Sequence, residues 1–237
     1  MNLLNLINIY RLITLLLLLL YFLGILIFGI EKIIWQALPA ILSTTLAGAL
    51  FDYLELKRFS YPITPFISGL IIGLVAQFGA DAIVLVVIGF LAMAAKFFIK
   101  WDGRHIFNPA ASGLFLGMIL FSSYPAWWGG SGYFWIFFIW IPILLIKFKR
   151  WAPMVGFLIP VIIKDGGLIL TSGSLLFFLS VMLIEPKTSP ADVKIGLIYG
   201  IIVGIGYLIF SQTTFDPLIS SLLIGNLGGR LLGKFLV

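Results

Sequence analysis

The chain of 237 residues is 62% hydrophobic and 10% charged, with a mean hydropathy of +1.18, whereas a soluble domain carries roughly 25% charged residues. This excludes a water-soluble fold and leaves one membrane domain, residues 1–237, with no room for a soluble one. The net charge of +6 would point to nucleic acid in a soluble protein, but the basic residues sit in breaks between apolar stretches. They therefore read as topology signals, and no nucleic-acid partner is expected. There is no cysteine, so disulfides and Cys-ligated centres are excluded, and a single histidine, His105, argues against haem or zinc.

In chain order, charges, prolines and glycines divide the sequence into ten predicted spans. They lie near residues 11–30, 34–52, 61–78, 80–99, 106–122, 131–147, 151–163, 169–185, 193–210 and 214–232. The first is too long for a signal-peptide core of about 7 to 15 residues, and no small-x-small site precedes Glu31. The fifth, seventh and tenth are expected to be short or broken by proline, as at Pro153 and Pro160.

Loop charges test this division, because an error of one span would scramble their alternation. With an inside N-terminus, thirteen basic residues fall on inside segments, and only Lys32 and Lys164 fall outside. A multi-pass protein of the cell inner (plasma) membrane follows, both termini cytoplasmic and its surface in contact with the lipid bilayer.

An internal repeat accompanies the pattern. FNPAASGLFLG (107–117) and FDPLISSLLIG (215–225) share Phe, Pro, Ser, Leu and Gly, with Asn108 matched to Asp216, and TPFISGLIIGL from Thr64 is a third relative. The first two open spans five and ten, which run in opposite directions. The fold class is therefore read as an all-α polytopic membrane protein, ten helices in a 5+5 inverted repeat with halves near 1–125 and 126–237.

Each motif marks a helix start, because proline in the first turn costs no hydrogen bond and a preceding Asn, Asp or Thr can cap the free amides. These are ordinary surface caps followed by small-residue packing at Ser112, Gly113 and Gly117, or else helices that begin within the membrane and aim amide-lined ends at a central cavity. Inversion favours the second. Phe107, Asn108, Pro109, Ser112, Asp216 and Pro217 are the candidate ligand-binding residues on this ground. No charge stands mid-span, and Glu185 closes the eighth span at the inner surface. His105, between Arg104 and Asn108, is expected in a solvated loop, with contact to an anionic ligand as a secondary role. The loop SSYPAWWGGSGYFW (122–135) is expected to form an interfacial aromatic belt.

GRHIFNPAASG (103–113) and the segment 171–210, which contains TSGSLLFF and EPKTSPADVK, carry a family likeness. They resemble the NqrB/RnfD family, homologous membrane components of the sodium-pumping NADH:quinone oxidoreductase (Nqr) and of the Rnf electron-transport complex. The resemblance covers residues from about 40 to the end. It implies a urea-transporter-like fold of ten helices and a place among other membrane subunits of a redox complex. It also implies flavin and coupling of electron transfer to sodium or proton movement. The family's motif residues fall on Phe107, Asn108, Pro109, Ser172, Gly173, Glu185, Pro186, Thr188, Ser189 and Pro190, and Glu185 replaces an Asp. Ser172, Gly173 and Ser174 join the candidate cofactor-binding residues on this ground.

The family attaches FMN covalently through the Thr of an S-G-A-T motif, but no Thr lies between Thr64 and Thr171 here. The expected cofactor is therefore FMN or riboflavin held noncovalently, or a quinone, with no covalent FMN. The expected function is that of a membrane subunit of an ion-translocating electron-transport complex. The alternative is a small-solute channel or transporter of the same fold without redox activity.

Overall fold

Polar residues at the breaks in the apolar pattern become helix caps. Asn8, Asp81, Asn108, Ser172, Asp192 and Asp216 each precede a helix and accept a backbone N–H from its first turn. The computed structural model describes residues 8–57 and 62–235. Within them the helices are α1 (Ile9–Phe28), α2 (Ile30–Leu56), α3 (Ile63–Val75), α4 (Ala82–Phe98) and α5 (Pro109–Phe121). After them come α6 (Ile136–Phe148), α7 (Trp151–Asp165), α8 (Gly173–Leu183), α9 (Val193–Phe210) and α10 (Pro217–Phe235). The last six residues of α8, Phe178–Leu183, are wound as π-helix. Two-residue strands β1 (Lys100–Trp101) and β2 (Arg104–His105) form a hairpin between α4 and α5. The chain is thus all-α apart from this hairpin, with ten helices among the described residues. Gly29, at φ 89°, turns the chain between α1 and α2 in a conformation that side chains resist.

Three helices are long and apolar enough to cross a membrane: Ile9–Phe28, Ile30–Glu55 and Val193–Phe210. Several others are shorter than the sequence predicts. The predicted spans 61–78 and 131–147 become helices of 13 residues each, about 20 Å long against a hydrocarbon core of about 30 Å, and 106–122, expected to be short, is a 13-residue helix too. The predicted 169–185 span loses its start to a 3₁₀ turn at Gly167–Thr171. The tenth helix departs the other way: expected to be short, it runs for 19 residues. α7 carries Pro160 without breaking, and its Pro153 stands in the first turn, where no intrahelical bond is lost.

What ends α3 early is a loop folded against its last turn. Val75 O accepts the N–H groups of Ala126 and Trp127 at 2.9 and 3.1 Å, and Trp128 Nε1 donates to Gly73 O at 2.7 Å. The expected aromatic belt is corrected here: Trp127, Trp128 and Tyr133 are 6%, 3% and 2% exposed, and Trp128 packs edge-on against Tyr21, Phe28 and Phe78. Only part of the segment faces outward, including Tyr124, Ser131, Phe134 and Trp135.

Helix contacts repeat with an offset of five. α2 packs on α4 as α7 packs on α9, α4 on α5 as α9 on α10, and α5 meets α10 between them. Close approach rests on small residues: Gly69 lies against Ala40 and Ile41, and Gly156 against Gly200. Large apolar side chains such as Leu15, Phe22, Leu26, Ile139, Ile163 and Leu168 cover the outside, a surface suited to lipid.

Candidate functional site

The start of α5 gathers distant segments around one side chain. Pro109 opens the helix, and Asn108 Oδ1 accepts the Ala111 N–H at 2.9 Å. This leaves Asn108 Nδ2 to donate to Glu185 Oε2 at 2.9 Å. Thr188 Oγ1 donates to the same oxygen at 2.9 Å. Behind the cap, the Asn108 N–H donates to Asn226 Oδ1 at 2.8 Å, and Asn226 Nδ2 donates to the Tyr199 hydroxyl at 3.0 Å. The Arg150 guanidinium pins the Glu185 segment by donating to the carbonyls of Pro186 and Ser189. The π-helical end of α8 leads directly into this segment, a winding frequent at functional sites.

A cavity of about 50 Å³ lies beside this cluster, lined by Thr64, Ser68, Lys96, His105, Asn108 and Glu185, among others. It adjoins a cleft of about 470 Å³ bordered by Asp52, Lys100 and Arg104, and Thr64, Lys96, His105, Pro186 and Lys187 belong to both. Lys96 Nζ donates to Thr64 Oγ1 at 2.9 Å, and Lys100 pairs with Glu55 at 2.7 Å. The cleft has the volume of a small-molecule pocket, roughly 300–1,000 Å³, while the inner cavity is water-sized.

His105 is not in a solvated loop, and that expectation is corrected. The residue is 9% exposed, and its Nε2 has no hydrogen-bond partner among the described residues. The cause is the hairpin: Asp102 and Gly103 both take positive φ, 49° and 71°, the geometry of a tight two-residue turn, and it folds β2 back under α4. Burial lowers the imidazole pKa to about 4, helped by repulsion from Lys187, Lys96, Arg230 and Lys100.

The residues singled out in the sequence divide into separate places. Asn108 and Pro109 line the inner cavity. Phe107 and Ser112 border a different, apolar groove of about 400 Å³ between α5 and α10, with Phe115 and Leu223, and Ser112 Oγ donates to Asn108 O at 3.1 Å. Asp216 caps α10 by accepting from Ile219 N at 2.8 Å, with Pro217 as the first helical residue, and its other oxygen accepts Trp127 Nε1 at 2.8 Å. Ser172 caps α8 and shares a 2.9 Å hydrogen bond with Ser174, while Gly173 lies backbone to backbone against Gly130.

Trp127 also meets Phe177 and Phe178 of α8, so the turn Trp127–Gly130 links Asp216 to the Ser172–Ser174 corner. This second centre lies about ten residues, roughly 15 Å, along the α5–α10 pair from Asn108. The two helix starts thus do not meet in one cavity.

Glu185, Thr64 and Lys96 complete the site without having been singled out as its binding residues, and His105, expected to contact an anionic ligand only as a secondary role, joins them. Thr64 carried a signal, because it opens the third copy of the repeated motif. Glu185 carried another, as a motif residue of the resembling family. Among the described residues, no group of three or more His, Asp or Glu side chains is placed to hold a metal ion.

The chain matches no family model and none of the curated proteins compared with it.

Proposed function

We propose that this chain is a ten-span membrane protein of two inverted five-helix halves, both termini cytoplasmic, acting as a membrane subunit of an ion-translocating electron-transport complex of the Rnf and Nqr type. A flavin or quinone is held noncovalently in the cleft over Asn108 and Glu185. One observation carries the reading: the two segments that bear the family likeness, 103–113 and 171–210, meet through the Asn108–Glu185 hydrogen bond of 2.9 Å, although those residues stand 77 positions apart. The inverted arrangement draws support from the α5–α10 pair and from the packing that recurs five helices later.

A flavin bound there would take up and pass on electrons. The protein's own groups would position it, with Asn108 and Thr64 offering polar contacts, Lys96 and Lys187 attracting electron-rich groups, and Glu185 fixing the charge balance.

The test is an absorbance spectrum of the purified protein, followed by denaturing extraction and a count of flavin or quinone per chain. About one released cofactor per chain supports the proposal. A fluorescent band at the mass of the chain on a denaturing gel would contradict noncovalent binding. The alternative, a small-solute channel or transporter, is favoured by the size of the inner cavity, about 50 Å³. A cofactor-free protein that conducts such a solute in liposomes would establish it.

A further inference from the structure

The cleft gathers more positive charge than its neighbours offset. Lys96, Lys100, Arg104 and Lys187 border it, against the carboxylates of Asp52 on its wall and of Glu185 in the adjoining cavity beside Lys96 and Lys187. Glu55 engages Lys100, and Thr64 holds Lys96, but Arg104 and Lys187 are exposed at the rim. Beneath them lies His105, buried, with its Nε2 unpartnered among the described residues. Like charges held this close repel, and an unpartnered buried nitrogen costs free energy, so both features are relieved by the same ligand: a compact anion with several oxygen acceptors.

We propose that this cleft is a binding site for a phosphomonoester dianion, gripped by the Arg104 guanidinium and the Lys187 and Lys96 ammonium groups, with His105 as its floor. Two charges and three terminal oxygens match this set better than one carboxylate does, because Arg104 can engage two oxygens at once while the lysines take a third. The cleft volume, about 470 Å³, leaves room for the organic part of the ligand. The site does not depend on a flavin or on redox chemistry. The phosphomonoester can belong to a soluble molecule or to a lipid headgroup of the phosphatidic acid kind.

His105 is the one histidine of the chain, so a protein labelled with ¹³C-histidine reports on the cleft through a single imidazole signal. In uncharged detergent at neutral pH, inorganic phosphate is expected to shift this signal saturably, while chloride at equal ionic strength does not. Arg104→Ala and Lys187→Ala, both at exposed positions, should each weaken the phosphate Kd by about tenfold or more with the melting temperature unchanged. Nanodiscs of phosphatidylcholine with and without phosphatidic acid separate the two sources. A signal already shifted by phosphatidic acid, and insensitive to further phosphate, identifies a lipid ligand. A signal that answers only to added phosphate identifies a soluble one. No saturable response to either, or a phosphate response that survives the Arg104→Ala/Lys187→Ala double substitution, overturns the proposal. Phosphate binding by a flavin-free protein would support this site while counting against the redox reading, so the two fail separately.

Discussion

The buried side chain of Asn226 accepts the backbone N–H of Asn108 at 2.8 Å, ten residues beyond the Asp216 cap of its own helix. The mirror contact exists: the Asp216 N–H donates to the sulfur of Met118 at 3.4 Å, ten residues beyond Asn108. Each helix of the α5–α10 pair therefore receives the other's start at the same depth, which makes the pair antiparallel and two-fold related. The two contacts differ in strength, since an amide oxygen is a good acceptor and a thioether a weak one.

Asn226→Leu should strand the Asn108 N–H and remove the bond to Tyr199, costing about 2–4 kcal/mol of stability. Met118→Leu keeps the volume and should cost less than about 1.5 kcal/mol. Unfolding in detergent measures both. Equal losses would mean that these hydrogen bonds are not what distinguishes the two ends.

Glu185→Gln separates charge from architecture. A glutamine oxygen can still accept from Asn108 and Thr188, so the melting temperature should move little, whereas cofactor occupancy or ion coupling should fall by about tenfold if the carboxylate charge is used. Asp216→Leu should do the reverse. It removes the α10 cap and the acceptor for Trp127, lowering stability by about 1–3 kcal/mol, and leaves binding at the Asn108 end intact. Occupancy lost in both variants would show that the two helix starts serve one site after all.

The Ser172–Gly173–Ser174 corner is a packing joint in this structure. A Cβ on Gly173 would run into the backbone carbonyl of Gly130, and no flexible side chain stands between them to yield. Gly173→Ala should therefore push α8 off the Trp127–Gly130 turn and lower stability by about 1–3 kcal/mol, a penalty typical of overpacking. Ser174→Ala, which loses only the bond to Ser172, should cost about 1 kcal/mol. A Gly173→Ala protein as stable as the parent would remove the joint from the account.

Local chemistry made several helix starts legible, though not that of α3, where Pro62 precedes the helix, Thr64 lies inside its first turn and no side chain caps it. A cap acts over two or three residues, so Asn108, Asp192 and Asp216 could be read from their neighbours alone. Helix ends were harder. The predicted span continues past Val75 to Phe78, but α3 stops where the Ala126–Trp127 loop takes up Val75 O, and beyond it Gln36 of α2 reaches across to bond Gln77 and Gly79, at 3.0 and 2.9 Å. No pattern within 61–78 encodes that contact. The same holds for the site: Asn108 is legible as a cap, but its partners Glu185 and Asn226 lie 77 and 118 residues away. His105 and Trp128 looked like loop residues because their burial is imposed by elements remote in sequence.

Topology is testable because the chain has no native cysteine. Ser131 and Lys149 are both exposed and flank α6. In intact cells, Ser131→Cys should react with an impermeant thiol reagent, and Lys149→Cys only after permeabilisation. The opposite pattern would invert the proposed orientation, and labelling of both from outside would remove the sixth span.

His105 supplies the pH dependence. Burial first, then repulsion from Lys187, Lys96, Arg230 and Lys100, lowers its folded-state pKa to about 4, from about 6.5 in the unfolded chain. Between those values the unfolded state binds the proton and the folded state does not, so stability falls as pH drops through this window and levels off below about 4. The full loss amounts to about 3 kcal/mol. His105→Gln cannot take up the proton, and its stability should decline less between pH 6.5 and 4 than that of the parent. Unfolding midpoints of both proteins across this range give the difference directly, which cancels carboxylates common to the two. Parallel curves would mean that the imidazole titrates alike in both states, and that the buried, cation-ringed floor of the cleft does not exist in solution.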